Sequence, residues 1–177
     1  VYITARKEAP LIEKAKELSE KFNGECIAIP CDLSNMEGIQ KLASDYLNHE
    51  DSLDILVNNA GAAWGEPYEN FSEKGWDKVM DTNFKSKFFL TRDLTPALSK
   101  NASDDEPSRI INIGSIDGIN VPIFETFSYS ASKAAVHHLT RALASKLVRE
   151  NILVNAIAPG PFPSMMLGSA GNHDYSG

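Results

Sequence analysis

Sulfur is scarce in this chain: 177 residues hold two cysteines, Cys26 and Cys31. That is too few for a disulfide framework, and the pair lacks the spacing of a four-ligand zinc site, so no metal is expected. Both read as small core or strand-end residues, which fits a reducing, cytoplasmic setting. Long apolar runs are missing too; none approaches the ~18 residues that a membrane-spanning helix needs. Positive charge is in deficit. Lysine and arginine number 17 against 24 acidic residues, a net charge of −7 that argues against a nucleic-acid or anionic-membrane partner. No signal or transit peptide is visible, but the chain opens on Val1 rather than Met, and VYITAR reads as a strand already in progress. We therefore expect pieces upstream and downstream of this sequence. With 42% hydrophobic and 23% charged residues, 1–177 reads as one ordinary globular domain.

What is present alternates between short apolar runs and longer amphipathic ones. VYIT (1–4) is strand-like. Residues 10–22 place Leu11, Ala15 and Leu18 at helical spacing, and Asn23-Gly24 stops them. ECIAIPCDLS (25–34) gives a strand and a turn, with Ser34 as N-cap of a helix running to about Asn48. LDILVNNAG (53–61), RIINIGS (109–115) and ILVNAIAPG (152–160) are continuous apolar runs of the kind that form fully buried parallel strands. A long helix is expected over 73–100, carrying Trp76, Val79, Met80, Phe84, Phe88 and Leu94, and another over 129–149. The tail from Gly168 is small and polar and reads as loop. Strands alternating with helices predict an α/β fold, a doubly wound, Rossmann-like parallel sheet. Ligands of such sheets bind beyond the C-terminal strand ends. Asp32, Asn59-Ala60-Gly61, Ser115 and Pro159-Gly160 all fall there.

Tyr129 and Lys133 lie four apart at the start of a helical run, which puts both on one helix face. A phenol with a pKa of about 10 transfers protons sluggishly at neutral pH, and an adjacent ammonium favours the phenolate. Lowering that pKa by about 3 units needs about 4 kcal/mol, available in a partly desolvated cleft. Ser115, on another strand end, can offer a second hydroxyl to the same substrate oxygen. This is an acid/base site for a carbonyl or an alcohol. A nicotinamide cofactor needs a glycine-rich phosphate turn between a first strand and its helix, and none is present. If VYITAR is the second strand, that turn lies upstream. Arg6 and Lys7 follow the strand, where an acid would hold the ribose of NAD; cations there suit the 2′-phosphate of NADP(H). Trp64, Phe124, Phe127, Phe162, Met165 and Met166 fall in loops beyond strand ends, suiting an apolar or acyl substrate, core packing or an oligomer contact. His137 and His138 face different ways and read as interface or surface residues.

Asn58-Asn59-Ala60-Gly61, Asn83, Ser115, Tyr129-x-x-x-Lys133 and Pro159-Gly160 stand in the order seen in the short-chain dehydrogenases/reductases, and the resemblance runs from Val1 to about Leu167. The wording around them (NNAGAAWGEP, NIGSIDGINV, SYSASKAAVHHLTRALA) is similar to the rhamnolipid-biosynthesis type of 3-oxoacyl-[acyl-carrier-protein] reductase, and more loosely to the fatty-acid-synthesis type. The resemblance implies Tyr129 as general acid/base, Ser115 orienting the substrate oxygen, Lys133 lowering the Tyr129 pKa and binding the nicotinamide ribose, and Asn83 holding a relay water. It implies Asp32 and Leu33 at the adenine, and Asn59, Ala60 and Gly61 near the adenosine ribose. Pro159, Gly160 and Phe162 would border the nicotinamide. Ser164 stands where many relatives have a Thr on the carboxamide. Asn58 would tie neighbouring strands.

The implied activity is NADPH-dependent reduction of a carbonyl, with a 3-oxoacyl thioester on acyl-carrier protein or CoA as substrate. A small ketone, sugar or steroid-like substrate stays open, as does an NADPH-binding protein without turnover. Relatives pair their two long helices between subunits, which implies a homodimer or homotetramer. The absent first strand and glycine-rich loop are the departure from the family pattern.

Overall fold

The computed structural model describes residues 1–161. Phe162, Ser164, Met165, Met166 and the tail from Gly168 lie outside the described residues. Helices and strands alternate along the rest. Strand β1 (Tyr2–Ile3) leads to α1 (Glu8–Phe22), which ends where Asn23 takes a left-handed conformation (φ 50°) that asparagine tolerates at a helix end. After β2 (Ile27–Ala28), α2 (Met36–His49) starts one residue later than expected. Its N-cap is Asn35, whose side chain accepts the Gly38 N–H at 2.8 Å. The predicted cap, Ser34, instead donates its own N–H to the Asp32 carboxylate at 2.9 Å, so the turn is closed by Asp32 and the helix by the next residue.

The remaining strands are β3 (Ile55–Asn58), β4 (Ser108–Ile113) and β5 (Ile152–Ile157). They form a parallel sheet in the order β3-β4-β5, with Ile55 opposite Arg109 and Arg109 opposite Leu153. β1 and β2 make a separate parallel pair. The two pieces face each other across a slot of about 810 Å³, lined by Tyr2 and Thr4 on one wall, Leu56 and Asn58 on the other, and Lys87, Leu90 and Leu94. A strand between β1 and β3 would join them into one doubly wound sheet; none of the described residues does.

One core spans both pieces. Leu42 and Tyr46 of α2 meet Leu56, Ile110 and Val154 of the strands and a row of leucines, Leu90, Leu94 and Leu98. Each such side chain buried is worth about 1.5–3 kcal/mol, before cavity effects. The opposite face of β3–β5 is open, contrary to the expectation of strands buried on both sides. Ile55 and Val57 are each 51% exposed, and Leu153 and Ile157 also reach solvent. The apolar runs are spelled for two covered faces, and the described helices cover one.

The helix expected over 73–100 is interrupted. α3 (Glu73–Met80) opens with the Ser72 side chain accepting the Gly75 N–H, then passes into a π-helical turn, Asp81–Lys85, and continues as α4 (Ser86–Lys100). The extra residue of a π turn rotates everything beyond it. The buried stripe runs Val79, Asn83, Lys87, Leu90, Leu94, Leu98; Phe88, expected on it, lies beyond the turn and is exposed, and Trp76, before the turn, is exposed as well. Helix α5 (Phe127–Leu147) starts two residues earlier than expected and returns through Asn151, again left-handed (φ 56°), to β5.

Candidate active site

The polar centre of the molecule is assembled where β3 and β4 end against α4 and α5. Ser115 follows β4, is buried, and accepts the Asp117 N–H at 3.1 Å, opening a tight turn over Ile116–Gly118. That turn lies against α5 so closely that a side-chain carbon at Gly118 would sit 2.5 Å from the Lys133 backbone. Pro159, beyond β5, is drawn in by its carbonyl, which accepts the Ile116 N–H at 3.1 Å. Gly160 beside it is exposed and has open space around it.

Tyr129, Lys133 and His137 recur along α5 at four-residue steps and meet the end of β4 together. Lys133, 4% exposed, donates to the Ile113 carbonyl at 3.0 Å and lies 5.4 Å from the centre of the Tyr129 ring. His137 Nε2 is 3.0 Å from the Ser115 carbonyl oxygen. Its ring packs on Gly114, where an added carbon would approach Cε1 to 2.4 Å, so only glycine fits. The surface or interface role expected for His137 is thus corrected: it braces the strand end that presents Ser115. His138 is exposed.

The electrostatics differ from expectation. Burial pushes the Tyr129 phenol above its ordinary value, with the Ser115 hydroxyl pulling it partly back. The expected depression by Lys133 is absent, because the ammonium is held at the Ile113 carbonyl and over the ring rather than at the phenol oxygen. Lys133 itself is pushed down to about 8 by burial.

Asn83 sits in the π turn and is fully buried. Its Oδ1 accepts the Ala62 N–H at 2.7 Å, and its amide donates to the Ala62 carbonyl (2.9 Å) and Ser132 Oγ (3.0 Å). Both amide protons are thereby engaged, so a relay water would have to meet the backbone carbonyl instead. One turn on, Lys87 was not singled out by the sequence, yet the residue is 2% exposed and its ammonium donates to the carbonyls of Asn58 (2.6 Å) and Ala60 (3.0 Å). Burial, aided by the charge of Lys133, lowers it to about 7. The available signal was position: Lys87 falls on the same stripe as Leu90, Leu94 and Leu98. Asn58 does link neighbouring elements, donating to Thr91 Oγ1 (3.1 Å) and Asn112 Oδ1 (2.9 Å), and Asn112 passes the chain on to Thr140 (2.9 Å).

The residues expected at the cofactor line the same edge. Gly61 is close to two of the four catalytic candidates: a carbon added there would lie 3.4 Å from Asn83 Oδ1 and 3.9 Å from Lys133 Nζ. Asn59 is exposed beside it and Ala60 half-buried. The Asp32 carboxyl is lowered first by the Ser34 N–H and further by the charge of Arg6, so exposed Arg6 faces the same strand end. Leu33 is buried and lines the slot. Phe127 and Trp64 are engaged in local packing. Phe127 meets Tyr68 and Phe71 edge-on at 5.6 and 5.8 Å, and Trp64 lies on Gly75 with Lys78 over its ring.

The profile of the short chain dehydrogenase family matches residues 1–174. The chain belongs to that family. This short-chain dehydrogenase is 46% identical, over 166 residues, to the rhamnolipids biosynthesis 3-oxoacyl-[acyl-carrier-protein] reductase of Pseudomonas aeruginosa, covering 94% of this chain and 64% of that protein. It is 39% identical over 153 residues to the 2-dehydro-3-deoxy-D-gluconate 5-dehydrogenase of Dickeya dadantii, covering 84% and 56%. The Pseudomonas aeruginosa RhlG/NADP active-site complex superposes with a TM-score of 0.90 at 45% identity, over 96% of this chain and 65% of that one. The dehydrogenase sequence thus spans less than two thirds of these relatives. Among its described residues no helix is long and apolar enough to cross a membrane.

Proposed function

We propose that the protein reduces a carbonyl to an alcohol with NADP(H), on a 3-oxoacyl thioester carried by acyl-carrier protein or CoA. The observation that carries this reading is the meeting of Ser115, Tyr129 and the buried Lys133 where β4 ends against α5. The donor set fits a nicotinamide nucleotide. Arg6 beside Asp32 suits a 2′-phosphate, Lys133 suits ribose hydroxyls, and Gly61 and Gly160 leave backbone accessible. Among the described residues no glycine-rich turn follows a strand to cradle the diphosphate. When bound, the nicotinamide supplies a hydride.

The chain's own residues handle the oxygen. The Ser115 hydroxyl donates a hydrogen bond to it, and Tyr129 gives it a proton. A phenol held above its ordinary pKa is protonated at rest, as a proton donor must be. Lys133, still mostly ammonium at neutral pH, rests at the Ile113 carbonyl and leaves the phenol's pKa untouched; it turns to the oxygen of Tyr129 only as that oxygen becomes charged in the reaction. The relay water assigned to Asn83 would replenish that proton through the backbone carbonyl in the π turn.

Two features support an acyl substrate. The relative at 46% identity is named a 3-oxoacyl reductase. The loop between Ser115 and Tyr129 also exposes Val121 and Ile123, apolar groups suited to a hydrocarbon chain. The sugar-acid dehydrogenase at 39% identity favours the alternative, a small keto-sugar. Incubating the intact gene product with NADPH and either an acetoacetyl thioester or a keto-sugar acid decides between them. Thioester-dependent NADPH oxidation is expected, and oxidation of NADPH by neither substrate would refute the reading. We further propose a homodimer or homotetramer through α4 and α5, supported by exposed Phe88 stacked edge-on with Phe89 at 5.2 Å. Phe88→Glu should shift the protein toward monomer in sedimentation; an unchanged distribution would remove this face from the interface.

A further inference from the structure

A buried ammonium with no acid beside it needs a reason. Among the described residues Lys87 takes part in none of the ion pairs, and its two acceptors are backbone carbonyls. A methionine of similar volume would fill the same space with no charge to desolvate. The reason lies in what those carbonyls belong to. Asn83, Lys87 and Thr91 recur at four-residue steps down one helix face; Thr91 bonds only a side chain inside β3, whereas Lys87 and Asn83 grip the backbone of the chain that leaves it. Thr91 holds the Asn58 side chain, Lys87 the Asn58 and Ala60 carbonyls, and Asn83 the N–H and carbonyl of Ala62. Every second residue of 58–62 is thereby fastened to α4 or the π turn. Between the fastened residues stand Asn59 and Gly61, both exposed.

We infer that Lys87 is a positioning residue for nucleotide binding: by fastening the Asn58 and Ala60 carbonyls it sets how Asn59 and Gly61 are presented at the crevice. This rests on the proposed NADP(H) reading. The amine is suited to the task in either protonation state, since the neutral form keeps two N–H groups for two carbonyls. Its lowered pKa therefore does not release the turn. Lys133 uses its ammonium in the same way at the end of β4, but there the side chain also faces Tyr129. Lys87 feels the charge of Lys133 but its hydrogen bonds go to none of the reacting groups, so its loss should show in cofactor binding and not in the chemical step.

The test compares Lys87→Met with Thr91→Val in the intact gene product. NADPH affinity is read by fluorescence titration and, separately, as KM. Lys87→Met is expected to raise Kd and KM for NADPH about tenfold, with kcat at saturating NADPH within about twofold of wild type. Thr91→Val removes a bond on the same helix face without touching either carbonyl. It is expected to lower Tm and leave NADPH affinity unchanged. Should Lys87→Met not fold, Lys87→Gln, which keeps an amide donor, is expected to give an intermediate KM for NADPH. Wild-type affinity in Lys87→Met, or in Lys87→Gln where that variant stands in for it, overturns the inference. So does an equal weakening in Thr91→Val, which would mean that affinity merely follows stability. Wild-type protein that binds no NADPH overturns the functional reading and this inference with it. Wild-type protein that binds NADPH as tightly as Lys87→Met overturns the role of Lys87 alone.

Discussion

The ends of β3 and β4 are finished in the same way by different helices. At β4, Lys133 of α5 reaches the carbonyl of Ile113; at β3, Lys87 of α4 reaches those of Asn58 and Ala60. Both lysines are buried, and both titrate well below their ordinary range, at about 8 and about 7. The difference is in what stands opposite. Lys133 lies over the ring of Tyr129, whereas Lys87 is surrounded by backbone and the slot. One strand end is built around a reacting group and the other around a shape. A lysine in a strand-end crevice can therefore serve chemistry or architecture, and the groups it directly touches tell which.

Substitution at the β4 end is expected to have the largest effects. Tyr129→Phe removes the proton donor and should lower kcat by about 10³-fold with NADPH affinity retained, since general acid catalysis is worth about 10²–10⁴-fold. Residual activity above a tenth of wild type would take Tyr129 out of the reaction. Lys133→Met should lower kcat about 10²-fold and weaken NADPH binding as well, unlike either Tyr129→Phe or Lys87→Met. Finding only one of those two losses would separate the roles assigned to that side chain. Gly114→Ala sets a methyl against the His137 ring and should cost about 1–3 kcal/mol in stability. Because it displaces Ser115, kcat should fall more than KM rises, and a variant with normal kcat would relieve His137 of its bracing role.

The subtlest contrast is in pH. Each lysine has a folded pKa below its unfolded value near 10.5. Between about 7 or 8 and 10.5, the unfolded chain holds more protons than the folded one, so the contribution of these groups to stability grows as pH rises through that window. Thermal melts should show Tm gaining from these groups between pH 7 and 9, and Lys87→Met should flatten part of the gain. Identical profiles for wild type and variant would place Lys87 in a wetter site than its burial implies.

Much of this was legible beforehand. The Tyr129–Lys133 step is local, so helical spacing alone puts the pair on one face, and apolar runs ending in Asn, Ser, Gly and Pro marked the strand ends. What was not legible depends on atoms brought from elsewhere. The phenol pKa is set by how deeply α5 is buried and by where the Lys133 ammonium finds an acceptor, and neither can be read from a four-residue interval. His137 looked peripheral because its partner, the Ser115 carbonyl, is far away in sequence. Lys87, in the polar-looking KSKFF, was hidden by the π turn, which shifted the buried stripe off Phe88 and onto the lysine. The open face of β3–β5 is not legible in the sequence, because apolar runs record what a strand is spelled for, not what covers it.

The π turn has one more consequence. Each helical residue advances the chain by about 100° around the axis, so the number of residues from Asn83 to Thr91 decides which side chains reach β3. Removing a single residue from 84–86 would swing Lys87 and Thr91 away from the strand while Asn83 stayed in place. Natural variation should therefore keep the number of residues between Asn83 and Thr91.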